Sequence, residues 1–300
     1  MGNMHLSAMK ILIIKLFLYI SAGLPLPLSH GLGFLAGWGL YLFPSHSRRI
    51  VRINIGLCFP TLSASEQNKL VRKSLIEIGK TILEVGALWL RPGKPTLRLI
   101  KKVNGSELVD EALAAGKGVI LASPHQGAWE ATGLYCAAHY GMSCTYKPLK
   151  MQPLDVLVTR ARGRMGGHFI PTNAGGLRML FKTLKQGNVV GMLPDQEPLD
   201  GTGVFAPFFG VPAYSMVFLG RLATKSGAPI IFTWSERLSW GRGYHLYFRK
   251  APANAHSADA LEATSANNQV VEDIARTNLA QYQWSYRRFR RRPEGEQEFY

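Results

Sequence analysis

The segment Ser123-Pro124-His125-Gln126-Gly127-Ala128-Trp129-Glu130 sets a carboxylate five residues after an imidazole. Histidine is the side chain that most readily takes a proton near neutral pH. To act as a base it needs a partner on one ring nitrogen that leaves the other free. If a helix begins near Ala128, Glu130 falls in its first turn and can fold back onto His125 to be that partner. The free nitrogen then draws a proton from a hydroxyl, and no serine or cysteine nucleophile is needed. The same spacing fits a helix-capping histidine beside an ordinary first-turn glutamate, and these two residues alone do not separate the readings.

Two other segments carry suitable groups. Arg160-Ala161-Arg162-Gly163-Arg164 has an arginine at every second position. Three such side chains cannot share one helix face, so at least one points away from the surface the others line. Guanidinium forks suit phosphate, and a solvated basic helix end is the plain alternative. Pro194-Asp195-Gln196 follows an apolar run directly. Asp195 is expected to pair with one of those arginines and hold it, or to be only a turn residue.

The elements that position these groups follow from hydrophobic patterning. Val119 to Ala122, Val189 to Leu193 and Ile230 to Trp234 read as buried strands, with Ser143 to Tyr146, Phe169-Ile170 and Tyr244 to Phe248 beside them. Helices are expected over 62–90, 106–115, 128–139, 154–165, 175–185, 213–226 and 258–283. The alternation predicts an α/β fold, a mostly parallel central sheet covered by helices on both faces. Sites in such sheets form at the carboxyl edges of strands, where His125 and Asp195 both fall.

Ile11 to Phe43 is nearly uncharged, broken only by Lys15, divided at Pro25 and Pro27, and followed by Arg48, Arg49 and Arg52. Its first half would make a helix of roughly 20 Å, short of the roughly 30 Å hydrocarbon core of a bilayer. We read residues 1–45 as an N-terminal membrane anchor, spanning or lying in the interface, ahead of a catalytic domain in 46–300. A buried helical hairpin is the alternative, and a signal peptide lacks its small-x-small cleavage site. Gly31, Gly33, Gly37 and Gly39 suit close helix packing; no strand precedes them, so a nucleotide site is not expected. The apolar stretch Val204 to Val211 lines an acyl groove, dips into a bilayer or folds into the core.

The charge balance is 35 Lys and Arg against 19 Asp and Glu, a net +16, which favours anionic partners. The tail Tyr286-Arg287-Arg288-Phe289-Arg290-Arg291-Arg292 suits an anionic membrane surface. Beside an apolar N-terminus it argues against a nucleic-acid arm. Cys58, Cys136 and Cys144 match no metal-ligand spacing and read as small core residues in a reducing compartment.

Taken in order, the motifs resemble the late acyltransferases of lipid A biosynthesis. The match begins at Arg52-x-Asn54-x-x-x-Cys58-Phe59-Pro60. It continues through the His125–Glu130 box, Tyr146-Lys147-Pro148, Arg162-Gly163-Arg164, Pro194-Asp195-Gln196 and Val204-Phe205-x-Pro207-Phe208-Phe209-Gly210. It closes with Gln281-Tyr282-x-Trp284, Arg287-Arg288-Phe289 and Arg292-Pro293-Glu294-Gly295. The resemblance implies a glycerolipid-acyltransferase-like fold and an enzyme of the bacterial inner membrane whose site faces the cytoplasm. It implies acyl carrier protein as the partner that brings the acyl thioester. The acceptor it implies is a phosphorylated glycolipid, a Kdo-bearing lipid A precursor acylated on the hydroxyl of a 3-hydroxyacyl chain. His125 and Glu130 become the catalytic dyad, and Arg162, Arg164 and Asp195 substrate-binding residues. No metal or nucleotide cofactor is called for. Within the box Gly127 and Ala128 replace bulkier apolar residues of the better-known members, a change expected to reshape the acceptor groove.

Overall fold

The computed structural model describes residues 2–146, 148, 149 and 151–300. The chain opens with four helices, α1 (Gly2–Gly23), α2 (Leu26–Leu42), α3 (His46–Cys58) and α4 (Ala64–Leu90). There follow α5 (Gly93–Leu97), β1 (Ile100–Asn104), α6 (Glu107–Ala114), β2 (Val119–Ala122), α7 (Trp129–Tyr140) and β3 (Ser143–Tyr146). Then come α8 (Gln152–Gly163), β4 (His168–Pro171), α9 (Ala174–Lys185), β5 (Val189–Met192), β6 (Gly203–Phe208) and β7 (Val211–Met216). The chain continues through α10 (Phe218–Ser226), β8 (Ile230–Arg237), β9 (Tyr244–Lys250) and α11 (Ala260–Thr277).

Seven strands form one sheet in the order β1-β9-β8-β2-β5-β3-β4. From β8 to β4 every neighbouring pair is parallel, and β9 runs antiparallel to β8. The expected mostly parallel α/β sheet is therefore present. Every residue of β2 and β5 is buried, as befits strands covered on both faces. Their register pairs Ala122 with Met192. Three residues further along each strand stand His125 and Asp195, so the register brings these two side by side.

The four opening helices build the wall facing that edge. Ser63 and Glu66 form a reciprocal capping box that starts α4. Helix α2 crosses α4 in close contact, because a Cβ on Gly33 or Gly37 would fall 2.6 Å and 2.3 Å from the backbone of Lys80 and Ile76. Two glycine positions thus serve helix packing, as expected. Buried His30 of α2 also bonds Glu84 of α4 at 2.9 Å. Glu84 receives Arg237 as well, and Arg237 bonds Glu77, Thr81 and the Gly127 carbonyl.

Among the described residues no helix is long and apolar enough to cross a membrane, so the spanning form of the anchor is not supported. Residues 9–43 do keep an apolar face open to solvent, with Leu12 65%, Leu35 64% and Phe43 70% exposed.

Two other expectations are corrected. Residues 213–226 are not one helix, and the preceding Val204 to Val211 takes the core position among its three readings. Strands β6 and β7 form an antiparallel hairpin that turns at Phe209-Gly210, both with positive φ. Its Ala206, Phe208, Phe209 and Ala213 sit in the main core. The arginine tail is also largely committed to the protein. Buried Arg288 donates to Tyr214 O at 2.8 Å, while Arg290 and Arg291 pair with the carboxylates of Glu197 and Asp200.

Candidate active site

The box sits where β2 ends and α7 begins. Gly127 takes a φ of 59°, and a Cβ there would lie 1.9 Å from Ser235 O of β8. The glycine is thus a requirement of backbone approach and does not line the neighbouring cleft; Ala128 does. The loop is held from behind by the segment after α11. Gly127 N–H donates to Gln281 O at 2.9 Å, and Gln283 N–H donates to His125 O at 3.0 Å. Asn54 fixes that segment in turn, donating to Trp284 O and Tyr286 O, each at 2.7 Å.

The partner of His125 is Asp195, not Glu130. Asp195 accepts the His125 backbone N–H at 2.8 Å and meets ring Nδ1 at 2.8 Å. A carboxylate can only accept, so Nδ1 carries the proton and Nε2 is left with its lone pair. That lone pair receives the Gln196 amide at 3.2 Å, and the same amide donates to Gln283 at 3.2 Å. Burial works to raise the Asp195 carboxyl, but its electrostatic pairing with His125 and the hydrogen bonds from the ring and backbone outweigh it and hold it below the usual carboxylate range. Burial and neighbouring Asp195 push the Tyr282 hydroxyl well up.

Glu130, in the first turn of α7, turns away from His125. It accepts Trp89 Nε1–H at 2.9 Å and Arg162 Nε–H at 3.0 Å, and Arg162 Nη2 closes a second bond to make a bidentate fork. Arg162 also lies over the Trp89 ring, 5.4 Å from its centroid. Burial works against its charge, and the Glu130 carboxylate more than restores it, so its pKa is raised. The expected pairs are therefore exchanged: the aspartate serves the histidine and the glutamate serves the arginine.

Arg164 does not reach the site. It donates to the carbonyls of Leu88, Arg91 and Ala161 at 2.6, 3.2 and 2.5 Å and ties α8 to the end of α4. Arg160 is exposed, so the three alternate arginines do not share one surface. Lys147 of the expected Tyr146-Lys147-Pro148 motif lies outside the described residues.

Two hollows meet at this point. An open cleft between α4 and the sheet edge is lined by Thr81, Trp89, His125, Ala128 and Gln283. A narrow, mostly apolar cavity runs beneath α7 past Leu134, Cys136, Met142 and Gly191. Trp129, Glu130 and Arg162 belong to both. Burial pushes the Cys144 thiol in that cavity up to about 11, so it stays protonated and behaves as apolar wall. Trp89, Arg237, Gln281 and Gln283 were not singled out for this site from sequence. The only signal they gave was the ordered Gln281-Tyr282-x-Trp284 motif.

The family model described as bacterial lipid A biosynthesis acyltransferase matches residues 3–291. The lipid A biosynthesis lauroyltransferase of Escherichia coli (strain K12) is 30% identical over 283 residues, 93% of this chain and 90% of that protein. The palmitoleoyltransferase of the same strain is 29% identical over 287 residues, 94% of this chain and 92% of its own. The phosphatidylinositol mannoside acyltransferase of Mycobacterium tuberculosis (strain ATCC 25618 / H37Rv) is 29% identical over 224 residues, 72% of this chain and 69% of its own.

Proposed function

The chain belongs to the bacterial lipid A biosynthesis acyltransferases and is an acyltransferase, and from that membership we propose that it moves a fatty acyl group from acyl carrier protein to a Kdo-bearing lipid A precursor. The observation that carries the reading is the Asp195-backed His125 beside the junction of an open cleft and a narrow apolar cavity. The cavity suits an acyl chain, and the cleft suits a polar acceptor. The acceptor hydroxyl displaces the Gln196 amide from Nε2, His125 takes its proton, and the oxygen attacks the thioester carbonyl. The tetrahedral intermediate collapses with loss of the C–S bond, and the imidazolium returns the proton to the departing thiolate. Asp195 keeps the ring in the base tautomer and stabilises the imidazolium. Arg162 is held by Glu130, and its Nη1, which makes no hydrogen bond among the described residues, supplies positive charge for the oxyanion.

The exposed apolar face of α1 and α2, followed by Arg48 and Arg49, supports docking on an anionic lipid surface, at the inner membrane with the cleft toward the cytoplasm. A second acceptor class, a phosphoinositol glycolipid, is favoured by the name of the mycobacterial relative.

The test is transfer by the purified protein in mixed micelles, with acyl carrier protein thioesters and the lipid A precursor. Transfer should occur and should be lost in His125→Ala. Acylation of other membrane lipids but not of this precursor would refute the acceptor, and the lipid A mass spectrum of a deletion strain, one acyl chain short, is the cellular counterpart.

A further inference from the structure

The cleft has a second end that the transfer chemistry leaves unused. Helices α3 and α4 form an antiparallel hairpin closed where Gln67 Nε2–H donates to Phe59 O at 3.0 Å. The start of α3 therefore meets α4 near Ile78, about 16 Å along that helix from Trp89. Ser47 and Ser285 line the cleft there.

His46 precedes Ser47 and Arg287 stands two residues after Ser285 in the chain, and Arg287 Nη2–H donates to His46 Nε2 at 3.1 Å. A guanidinium is always cationic and can only donate, so this bond takes the lone pair of His46 Nε2 and leaves Nδ1–H as the outward donor. Among the described residues neither meets a carboxylate, and nor do Arg49 and Arg52 on the same helix. The contrast lies within the tail itself. Arg290, Arg291 and Arg292 have the carboxylates of Glu197, Asp200 and Glu296, and Arg288 is buried on a carbonyl. Arg287 alone of that run is left with a basic neighbour. Three residues before His46 stands Phe43, 70% exposed, beside Leu42, 60% exposed. The same end of the cleft therefore adjoins the apolar face proposed to meet lipid.

We propose that Arg287 and His46 form an anion subsite that takes a phosphate monoester on the glycolipid acceptor. The inference rests on the acyl-transfer reading above. The donor chain enters the cavity at Trp129, Glu130 and Arg162, so the far end is left to the acceptor, which arrives from the lipid surface at Phe43. The guanidinium supplies charge-assisted donors and the imidazole a neutral Nδ1–H, and a phosphate can accept from both at once.

The experiment uses the full chain in mixed micelles and compares wild type, Arg287→Ala, Arg287→Glu and the Arg287→Ala/His46→Ala pair. Each is assayed with the phosphorylated acceptor, with the same acceptor after phosphatase treatment, and across a titration of the acyl carrier protein thioester. Arg287→Ala should raise KM for the phosphorylated acceptor about tenfold, and the double variant about a hundredfold. Arg287→Glu should be worse than Arg287→Ala, and kcat and the donor KM should hold. With the dephosphorylated acceptor the wild type should already show the raised KM, and the substitutions should add little. An equal rise for both acceptors, a rise in donor KM instead, or no change would each overturn the subsite while leaving the transfer reading intact. Failure of the wild type to acylate either acceptor would remove both.

Discussion

Replacing Asp195 by asparagine separates the observed pairing from the one the box suggests. Asp195 is 3% exposed and holds two donors, the His125 backbone N–H and ring Nδ1–H, both at 2.8 Å. The backbone N–H cannot change its role, so it claims the asparagine oxygen. The asparagine NH2 then faces Nδ1 and must donate to it, which forces the ring proton onto Nε2. The nitrogen that should take the acceptor's proton is occupied. Substitution of the acid behind a catalytic histidine by its amide costs about 10⁴-fold in kcat in the well-studied hydrolase triad, and we expect a loss of 10³- to 10⁴-fold here. Glu130→Gln leaves that tautomer untouched and loosens the Arg162 fork. We expect about a 10²-fold fall from weaker oxyanion stabilisation, with the pH–rate limb unmoved. The assay is initial acyl transfer at saturating donor from pH 5.5 to 9, with folding checked by thermal unfolding. Near-normal kcat in folded Asp195→Asn, or a shifted acid limb in Glu130→Gln alone, would refute the assignment and restore Glu130 as the partner of His125.

Three further outcomes follow from the same contacts. Arg164→Ala should leave both KM values within about twofold but lower stability by about 1–3 kcal/mol in urea unfolding, because it removes the bonds to Leu88, Arg91 and Ala161 carbonyls; a selective rise in acceptor KM would return Arg164 to the site. Met142 lies over Gly191 in the wall of the apolar cavity, where a Cβ on that glycine would fall 2.3 Å from its sulfur, so Met142→Ala should enlarge the cavity and shift donor preference toward longer chains; unchanged selectivity across a thioester series would show that the acyl chain lies elsewhere. Burial would raise the Glu84 carboxyl, but Arg237 and His30 bring it from 4.5 down to about 2, so its contribution is complete above pH 4.5 and is lost as pH falls from there toward 2. That loss is about 3 kcal/mol, and Glu84→Gln should flatten the stability profile in this window while lowering stability at neutral pH; an unchanged slope would contradict the ion network.

What the sequence conveys about this site depends on the range of the interactions involved. His125, Glu130, Arg162 and Asp195 were legible because apolar runs and a turn glycine mark strand ends locally. Their pairing was not, because it depends on which strand lies beside β2. Once β5 does, the register of Ala122 on Met192 brings Asp195 to His125 with no further freedom. Glu130 sits past a positive-φ glycine, on a helix that faces α4 and α8. The hairpin β6–β7 was hidden for another reason. The stretch lacks the alternation of a half-buried strand, and Pro207 sits on a two-stranded ribbon while Gly210 makes its turn. The tail arginines looked like a surface because composition does not reveal which carbonyls and carboxylates meet them. The two members of the His-x-x-x-x-Glu box therefore stand on different elements and serve different partners. His125 is fixed by adjacent strands, and the Glu130–Arg162 pair by the α4–α7–α8 contact. The five-residue spacing then measures the distance from a strand edge to the first turn of the next helix, rather than a hydrogen bond between the two side chains. Helix α4 touches both arms of the box, Glu130 through Trp89 and the Gly127 carbonyl through Glu77, Glu84 and Arg237, so a shift of α4 against the sheet would be felt on both.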